Sequence, residues 1–191
     1  MLLEDITEIA IGVVLKRKEA KYKTKNSYEY KVFNLKSYEE NIEYDIFYSE
    51  ENLDNFVARK GDIIFRMSFP LKVIEVDEKI EGKLINNQYC IIRMVGLHNK
   101  IYNIEFIRWF LESKNAKRQF EKTLIGSSVK SVPVTKLRQL KIPFLHFEKQ
   151  KEISKLINAW DKEKKLYEKL IIEKDKYYSS IIDKLINGGK K

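Results

Sequence analysis

The sequence has little cysteine, proline or glycine, with one Cys, three Pro and seven Gly among 191 residues. A single cysteine, Cys90, excludes an intrachain disulfide and a zinc site built on several thiolates. It stands in the apolar run Gln88-Tyr89-Cys90-Ile91-Ile92, so we interpret it as a small core residue. Hydrophobic residues make up 43% of the chain, a fraction that suits a globular protein with a real core.

Long apolar runs are absent as well. No stretch approaches the roughly 18 uncharged apolar residues of a membrane-spanning helix. The first residues, Met1-Leu2-Leu3-Glu4-Asp5, lack the basic start and the apolar core of a secretory signal. We therefore expect a soluble protein of the cytoplasm.

Motifs that carry catalysis are also missing. The sequence has no Gly-rich phosphate loop, no Gly-x-Ser-x-Gly elbow, no dinucleotide fingerprint and no Asn/Asp-Pro-Pro-aromatic tetrapeptide of amino-methyltransferases. Glu81-Gly82-Lys83, preceded by Asp77, is similar to the acidic pattern of magnesium nucleases, but Gly82 disfavours the strand that such a site needs. His98 and His146 show no metal-ligand spacing. We expect no catalytic residue, no metal and no cofactor.

Positive charge prevails, with 37 Lys and Arg against 28 Asp and Glu and a formal net charge of +9. A basic balance favours an anionic partner, most often nucleic acid. The alternative is simple solubility in a proteome rich in Lys, Ile and Asn. Charged residues make up 34% of the chain, above the ~25% of an average domain, which predicts a long solvated helix.

Residues 1 to about 147 show the patterns of a strand-rich, mixed domain. Alternating or apolar segments predict strands at Tyr28–Val32, Tyr44–Tyr48, Ile63–Arg66, Leu71–Val76 and Tyr89–Met94. Helical spacing behind a good N-cap, Asn103, predicts a helix over Ile104–Leu111, followed by a further helical turn over Ala116–Lys122. We expect a loop at 126–133 and then a short extended segment that leads to Pro143.

From Glu148 to Ile186 no glycine or proline interrupts the sequence, which predicts one helix about 58 Å long at ~1.5 Å per residue, with Gly188-Gly189 as its stop. Apolar residues recur at the spacing of a coiled coil, interrupted only by Lys164 and Lys174. They are Ile153, Ile157, Trp160, Tyr167, Ile171, Tyr178, Ile181 and Leu185. Because a domain of this size does not need so long a helix for its own core, we expect this row to be buried against a helix of another chain.

Cationic and polar residues predict a DNA-binding surface. Six cations fall within ten residues, and we predict phosphate contacts for Lys16, Arg17, Lys18, Lys21, Lys23 and Lys25. Neighbouring amide, hydroxyl and aromatic residues, two arginines on strands and a later polar loop suit contacts to bases: Asn26, Tyr28, Arg66, Asn87, Arg93, Ser127 and Ser128. The alternatives are a solvated loop for the cations, an ordinary salt bridge for each arginine, and a simple turn for Asn86-Asn87.

An ordered series of short motifs leads into the long helix. It consists of Gly126-Ser127-Ser128, Val134-Thr135-Lys136-Leu137, Leu140-Lys141-Ile142-Pro143 and Glu148-Lys149-Gln150, followed by Ile153. This series resembles the end of a target-recognition domain and the start of the spacer helix in the specificity (S) subunit of a type I restriction-modification system. Upstream, Lys60–Phe65 is similar to the Lys-Gly-Asp-Ile-Leu-Phe strand of that family, and Ile104–Leu111 to its next helix. The resemblance covers about residues 55 to 187.

The resemblance implies DNA recognition without catalysis. In that family methyltransferase (M) subunits dock on the spacer helices and methylate adenine, and a restriction (R) subunit binds the assembly. A complete member carries two recognition domains and two spacer helices, so this chain is similar to one half of it.

We therefore expect an α+β protein, with a strand-rich target-recognition domain over residues 1–147 and one long coiled-coil helix over 148–191. We expect it to recognise double-stranded DNA at a bipartite site and to form a homodimer through antiparallel C-terminal helices. A different half-subunit is the alternative partner. The alternative function is a basic coiled-coil adaptor or regulatory protein that binds another protein or RNA.

Overall fold

Short strands and helices alternate through most of the chain, and one long helix follows them. The computed structural model describes residues 1–20, 22–24, 27–96, 101–121 and 131–187, in two units, residues 1–150 and residues 151–191. The strands are β1 (Thr7–Ile11), β2 (Tyr28–Lys31), β3 (Ile46–Ser49), β4 (Ile63–Arg66), β5 (Lys72–Glu75) and β6 (Tyr89–Met94). The helices are α1 (Leu35–Glu40), α2 (Ile104–Glu112), α3 (Lys114–Glu121), α4 (Val134–Arg138) and α5 (Phe147–Asn187), and 3-10 turns occur at Leu3–Asp5, Leu15–Arg17 and Asp54–Phe56.

The first unit contains a four-stranded antiparallel sheet in the order β1-β6-β4-β5. The central strand β6 is buried on both faces over its first four residues, as its continuous apolar sequence requires. On one face Tyr89 packs in a buried cluster with Phe33 and Ile64. On the other face Phe65 of β4 meets Phe120 of α3, with ring centroids 6.0 Å apart.

Cys90 lies in this core, as its apolar neighbours predicted, and is completely buried. Burial raises the pKa of its thiol to about 12. The thiol therefore stays protonated at neutral pH and acts as a small apolar side chain.

β2 and β3 form a separate antiparallel ribbon in which Lys31 lies opposite Ile46. The inner face of the ribbon packs Tyr30 and Phe47 into a second buried cluster with Leu84. Because side chains alternate along a strand, Lys31 and Ile46 lie on the outer face, where both are exposed.

The observed elements match most of the predicted ones, with three differences. β1 and α1 occupy segments for which we made no prediction. The segment that was predicted to be extended begins instead with the helix α4. Pro133 stands at its N-cap with φ −62°, and the helix turns Leu137 into the core, where it is completely buried. The predicted loop at 126–130 and the predicted stop at Gly188-Gly189 lie outside the described residues.

α5 is one uninterrupted helix about 60 Å long at ~1.5 Å per residue, and it begins one residue before the predicted start. Within the single chain most of its apolar row is exposed from Trp160 onward, with 55% of Trp160, 59% of Ile171 and 74% of Leu185 accessible, whereas Ile181 is half-buried. None of the helices in the described part of the chain is long and apolar enough to cross a membrane.

Candidate nucleic-acid interface

One end of the four-stranded sheet, where β1 and β4 finish and β6 begins, brings together three separate segments of the chain. The end of β1 lies beside the start of β6, because Ile11 pairs with Cys90. The end of β4 also lies beside the start of β6, because Arg66 pairs with Tyr89. Gly12 and Val13, Arg66 and Met67, and the turn Asn86–Gln88 therefore meet here, and the first two segments continue to Lys18 and Ser68. We call these three segments together the Arg66 edge.

A tight backbone contact fixes the centre of the Arg66 edge. The amide of Asn87 donates to the carbonyl of Val13 at 3.0 Å, and the amide of Val13 donates to the carbonyl of Ile85 at 2.9 Å. Gly12 is required here, since a Cβ atom at this position would lie 2.2 Å from the carbonyl oxygen of Asn86. The approach of these two segments holds the 86–88 turn in one place.

The turn at 86–88 presents Asn87 to solvent. The side-chain oxygen of Asn86 accepts a hydrogen bond from the amide of Gln88 at 3.0 Å, which closes the turn. Asn87 itself is exposed, and its side-chain amide forms no hydrogen bond with the described residues. A free amide at a fixed turn has the donor and acceptor needed to contact adenine.

Arg66 lies at the same edge with most of its hydrogen-bonding capacity unused. Its Nε donates to Oγ of Ser68 at 3.2 Å, and among the described residues its guanidinium has no carboxylate partner. The side chain is half-buried, so part of it is held by the sheet. A guanidinium with free terminal nitrogens can donate two hydrogen bonds to guanine.

Arg93, the other predicted arginine, lies near the opposite end of β6. Its Nε and Nη2 donate to the two carboxylate oxygens of Asp62, at 2.8 and 2.6 Å. This pairing raises the pKa of Arg93, and Asp62 is only 2% exposed. The two guanidinium nitrogens that would contact a base are thus bonded to Asp62. A salt bridge was the alternative interpretation of Arg93.

The predicted phosphate-binding cations differ in what they contact. Lys18 is paired with Glu51, with an Nζ to Oε2 distance of 2.6 Å. Lys23 donates to the hydroxyl of Tyr48 at 2.8 Å and lies 3.4 Å from Glu29, and these contacts raise its pKa. Lys16 and Arg17 are exposed on the 3-10 turn of the Arg66 edge without a carboxylate partner in the described part of the chain.

The other predicted contact residues are Tyr28 and five residues that the structure does not describe. Tyr28 is 44% exposed on β2 and stacks on Tyr30 with ring centroids 6.4 Å apart. Five predicted contact residues lie outside the described residues, namely Lys21, Lys25, Asn26, Ser127 and Ser128.

The acidic triplet with nuclease-like spacing is part of a turn. Gly82 has φ +78°, a conformation suited to glycine, so the segment does not form a strand. Asp77 accepts hydrogen bonds from the amides of Lys79 and Ile80 and from the hydroxyl of Tyr38, whose pKa burial and this contact raise to about 12. The Asp77 carboxylate thus serves to close a turn. The described residues include no group of three or more His, Cys, Asp or Glu placed to hold a metal ion.

Gln150, the last residue of the Glu-Lys-Gln motif, has a role that the sequence did not reveal. It is completely buried, and its Nε2 donates to the carbonyls of Ile101 at 2.9 Å and Leu145 at 2.7 Å. Its Oε1 accepts from the amide of Asn103, the N-cap of α2, at 2.9 Å. The side chain therefore joins the first turn of α5 to the start of α2.

Comparison with known proteins gives a match by structure alone, since no protein-family model and no curated protein matches the sequence. The S subunit of a type I restriction-modification system from M. genitalium matches with a TM-score of 0.61 and 14% identity over 100% of this chain and 46% of that one. The HsdS subunit from Thermoanaerobacter tengcongensis matches with a TM-score of 0.63 and 16% identity over 95% and 46%. A chain from a structure of type I R-M complex assembly and conformational transition matches with a TM-score of 0.70 and 15% identity over 97% and 47%.

These matches confirm the predicted fold class, an α+β sheet domain followed by one long C-terminal helix. They also confirm the resemblance at the level of the fold, which is the fold of type I specificity subunits. The chain spans about half the length of the structures that it matches.

Proposed function

We propose that the chain is a non-catalytic subunit that recognises the sequence of double-stranded DNA. The observation that carries this proposal is the Arg66 edge, where an arginine and an exposed amide lie at one end of a sheet and the segment that follows β1 adds two cations without a carboxylate partner among the described residues. Lys16 and Arg17 contact phosphates, which hold the protein on the duplex, and Arg66 and Asn87 contact base edges, which select the sequence. The likeness of the fold to specificity subunits supports the same division of roles.

We further propose that the subunit directs enzymes to a bipartite DNA site. Methyltransferase subunits bind α5 and methylate the DNA, and restriction subunits join through them. The domain boundary that we propose, residues 1–147 for DNA recognition and 148–191 for assembly, follows from this division.

The partner that we propose for α5 is a second copy of the chain, paired antiparallel. The support is the apolar row on α5, since side chains such as Ile171 and Tyr178 are more than half exposed in the single chain. Contiguous apolar surface of this extent marks an interaction site. Burial of the row against its own symmetry mate removes it from water at both helices.

Equilibrium binding to duplex DNA, measured over a series of salt concentrations, tests the recognition function. A DNA-recognition subunit binds duplex with an affinity that falls steeply with salt, and it prefers duplex to single-stranded RNA of equal length. The purified chain, mixed with its cognate methyltransferase subunit, should methylate specific sites. Salt-insensitive binding, or binding to RNA in preference to duplex, would instead support the alternative of an adaptor for another protein or for RNA.

A further inference from the structure

A cleft of about 330 Å³ at the end of the β2–β3 ribbon is lined by three lysines, Lys31, Lys79 and Lys83. Lys31 comes from β2, whereas Lys79 and Lys83 come from the turn region that precedes β6. Tyr44, which precedes β3, also lines the cleft. We call this site the Lys31 cleft.

Two of the three ammonium groups in the Lys31 cleft are held by neutral acceptors rather than by carboxylates. Lys79 Nζ donates to the side-chain oxygen of Asn41 at 3.0 Å. Lys83 Nζ donates to the backbone carbonyl of Glu81 at 3.4 Å and lies 5.4 Å from the centre of the Tyr44 ring. The ammonium group of Lys31 forms no hydrogen bond or ion pair with the residues that the structure describes. Their positive charges are therefore available to a ligand.

Two carboxylates also line the cleft, so its three lysines and two glutamates leave a formal charge of +1. Neither Glu43 nor Glu78 lies within the 4.0 Å of an ion pair with any of the three lysines. Elsewhere on this unit, lysines such as Lys18 and Lys72 do have carboxylate partners, at 2.6 and 2.9 Å. Because the ammonium groups have no carboxylate within ion-pair distance and the cleft has a net positive charge, an anion is favoured there.

The Lys31 cleft and the Arg66 edge lie along the same short segment of backbone. The amide of Leu84 donates to the carbonyl of Lys31 at 2.8 Å, which fixes this segment to the ribbon. Four residues separate Lys83 from Asn87, and an extended chain of four residues spans at most about 14 Å. A duplex bound at the Arg66 edge therefore passes within reach of the cleft.

We propose that the Lys31 cleft binds a backbone phosphate of the duplex whose bases are contacted at the Arg66 edge. The proposal rests on the DNA-binding function proposed above and adds a second contact, distinct from the cations at 16–25. A phosphate oxygen accepts hydrogen bonds from several ammonium groups at once, which the three lysines provide. Contacts to phosphate fix the position and orientation of the protein on the duplex.

The test compares two triple variants of the full chain on duplex of random sequence over a salt series. The first combines Lys31→Gln, Lys79→Gln and Lys83→Gln. The matched control combines Lys60→Gln, Lys114→Gln and Lys117→Gln, which remove the same charge from exposed lysines outside the cleft. Loss of one phosphate contact lowers the slope of log affinity against log salt by about 0.9. We expect this decrease for the cleft variant and a smaller one for the control.

A second measurement uses the unmodified protein, in case the cleft variant does not fold. Lysines are acetylated with and without duplex, and their modification is read by mass spectrometry. We expect duplex to protect Lys31, Lys79 and Lys83 and to leave Lys60 and Lys114 reactive.

Each result has one interpretation. Equal slopes for the two variants, or no protection of the cleft by duplex, would overturn the proposal while leaving DNA recognition intact. Protection by inorganic phosphate alone, at the same phosphate concentration, would assign the cleft to free phosphate and also overturn it. Failure of the wild-type chain to bind duplex at low salt would overturn the recognition function and this inference together.

Discussion

Lys16 and Lys18 lie two residues apart, yet only Lys18 has a carboxylate partner, Glu51. A lysine that is already paired must give up its partner before it contacts a phosphate. The sequence shows six cations in ten residues, but not which of them are paired, because this depends on the fold: the partner of Lys18, Glu51, lies 33 residues away along the chain. Besides Arg66, the cations of the Arg66 edge without a carboxylate partner among the described residues are Lys16 and Arg17.

We therefore predict that Lys16→Ala combined with Arg17→Ala weakens binding to every duplex by a similar factor. The slope of log affinity against log salt should fall by about 1.8, since each lost phosphate contact contributes about 0.9. Lys18→Ala combined with Lys23→Ala is the matched control, since it removes two cations that already have carboxylate partners, and it should change the slope less. Fluorescence anisotropy over a salt series measures both. A change of sequence preference without a change of slope would show that these residues contact bases instead.

The residues predicted to contact bases show which part of the site the sequence could reveal. Arg and Asn are the residue types that read guanine and adenine, so Arg66, Asn87 and Arg93 were reasonable predictions. The sequence did not show that Arg66 and Asn87 meet at one edge, because this depends on the pairing of β4 with β6. Nor did it show that Arg93 is held by Asp62, which lies 31 residues away along the chain.

At the scale of elements, local patterns predicted most strands and helices, because alternation and helical spacing are properties of contiguous residues. β1 was not predicted, because apolar and polar residues alternate over only five residues, Thr7–Ile11. α4 was not predicted because it has only five residues, Val134–Arg138, so helical spacing does not repeat within it. The register that builds the Arg66 edge is a property of pairs of elements and has no local signal.

The junction between α2 and α5 depends on Gln150. Gln150→Ala removes the side chain that bonds two carbonyls and one amide, and each of these part-buried hydrogen bonds contributes about 0.5–1.5 kcal/mol. We predict a loss of roughly 3 kcal/mol in the free energy of unfolding, measured by urea denaturation. Lys155→Ala, at an exposed position of the same helix, is the control and should have little effect. Equal stability of the two variants would contradict this role of Gln150.

The apolar row of α5 supports a prediction about assembly. Ile171→Asp places a charge in the row and should dissociate the proposed dimer, because a buried unpaired charge costs several kcal/mol. Ile172→Asp introduces the same change one residue further, about 100° around the helix and outside the row. We expect it to leave the dimer intact. Sedimentation velocity distinguishes the two, and a wild-type monomer at micromolar concentration would contradict the dimer.

At the scale of the whole molecule, the symmetry of the assembly determines the symmetry of its DNA site. Two identical chains paired through antiparallel helices are related by a two-fold axis, so each presents the same Arg66 edge to DNA. A protein with two-fold symmetry reads an inverted repeat, with two identical half-sites in opposite orientation. Bases between the half-sites meet no reading side chain and should be unspecified.

We therefore predict that sequencing of methylated bases, in cells that carry this chain with its methyltransferase subunit, will give a gapped inverted repeat. The same sequencing is repeated in cells that carry Asn87→Ala. Because Asn87 of each chain contacts one half-site in the same way, we expect both half-sites to lose preference at the same base pair. A motif with two unrelated halves would show that the partner is a different half-subunit, and a short motif without a gap would contradict the bipartite assembly itself.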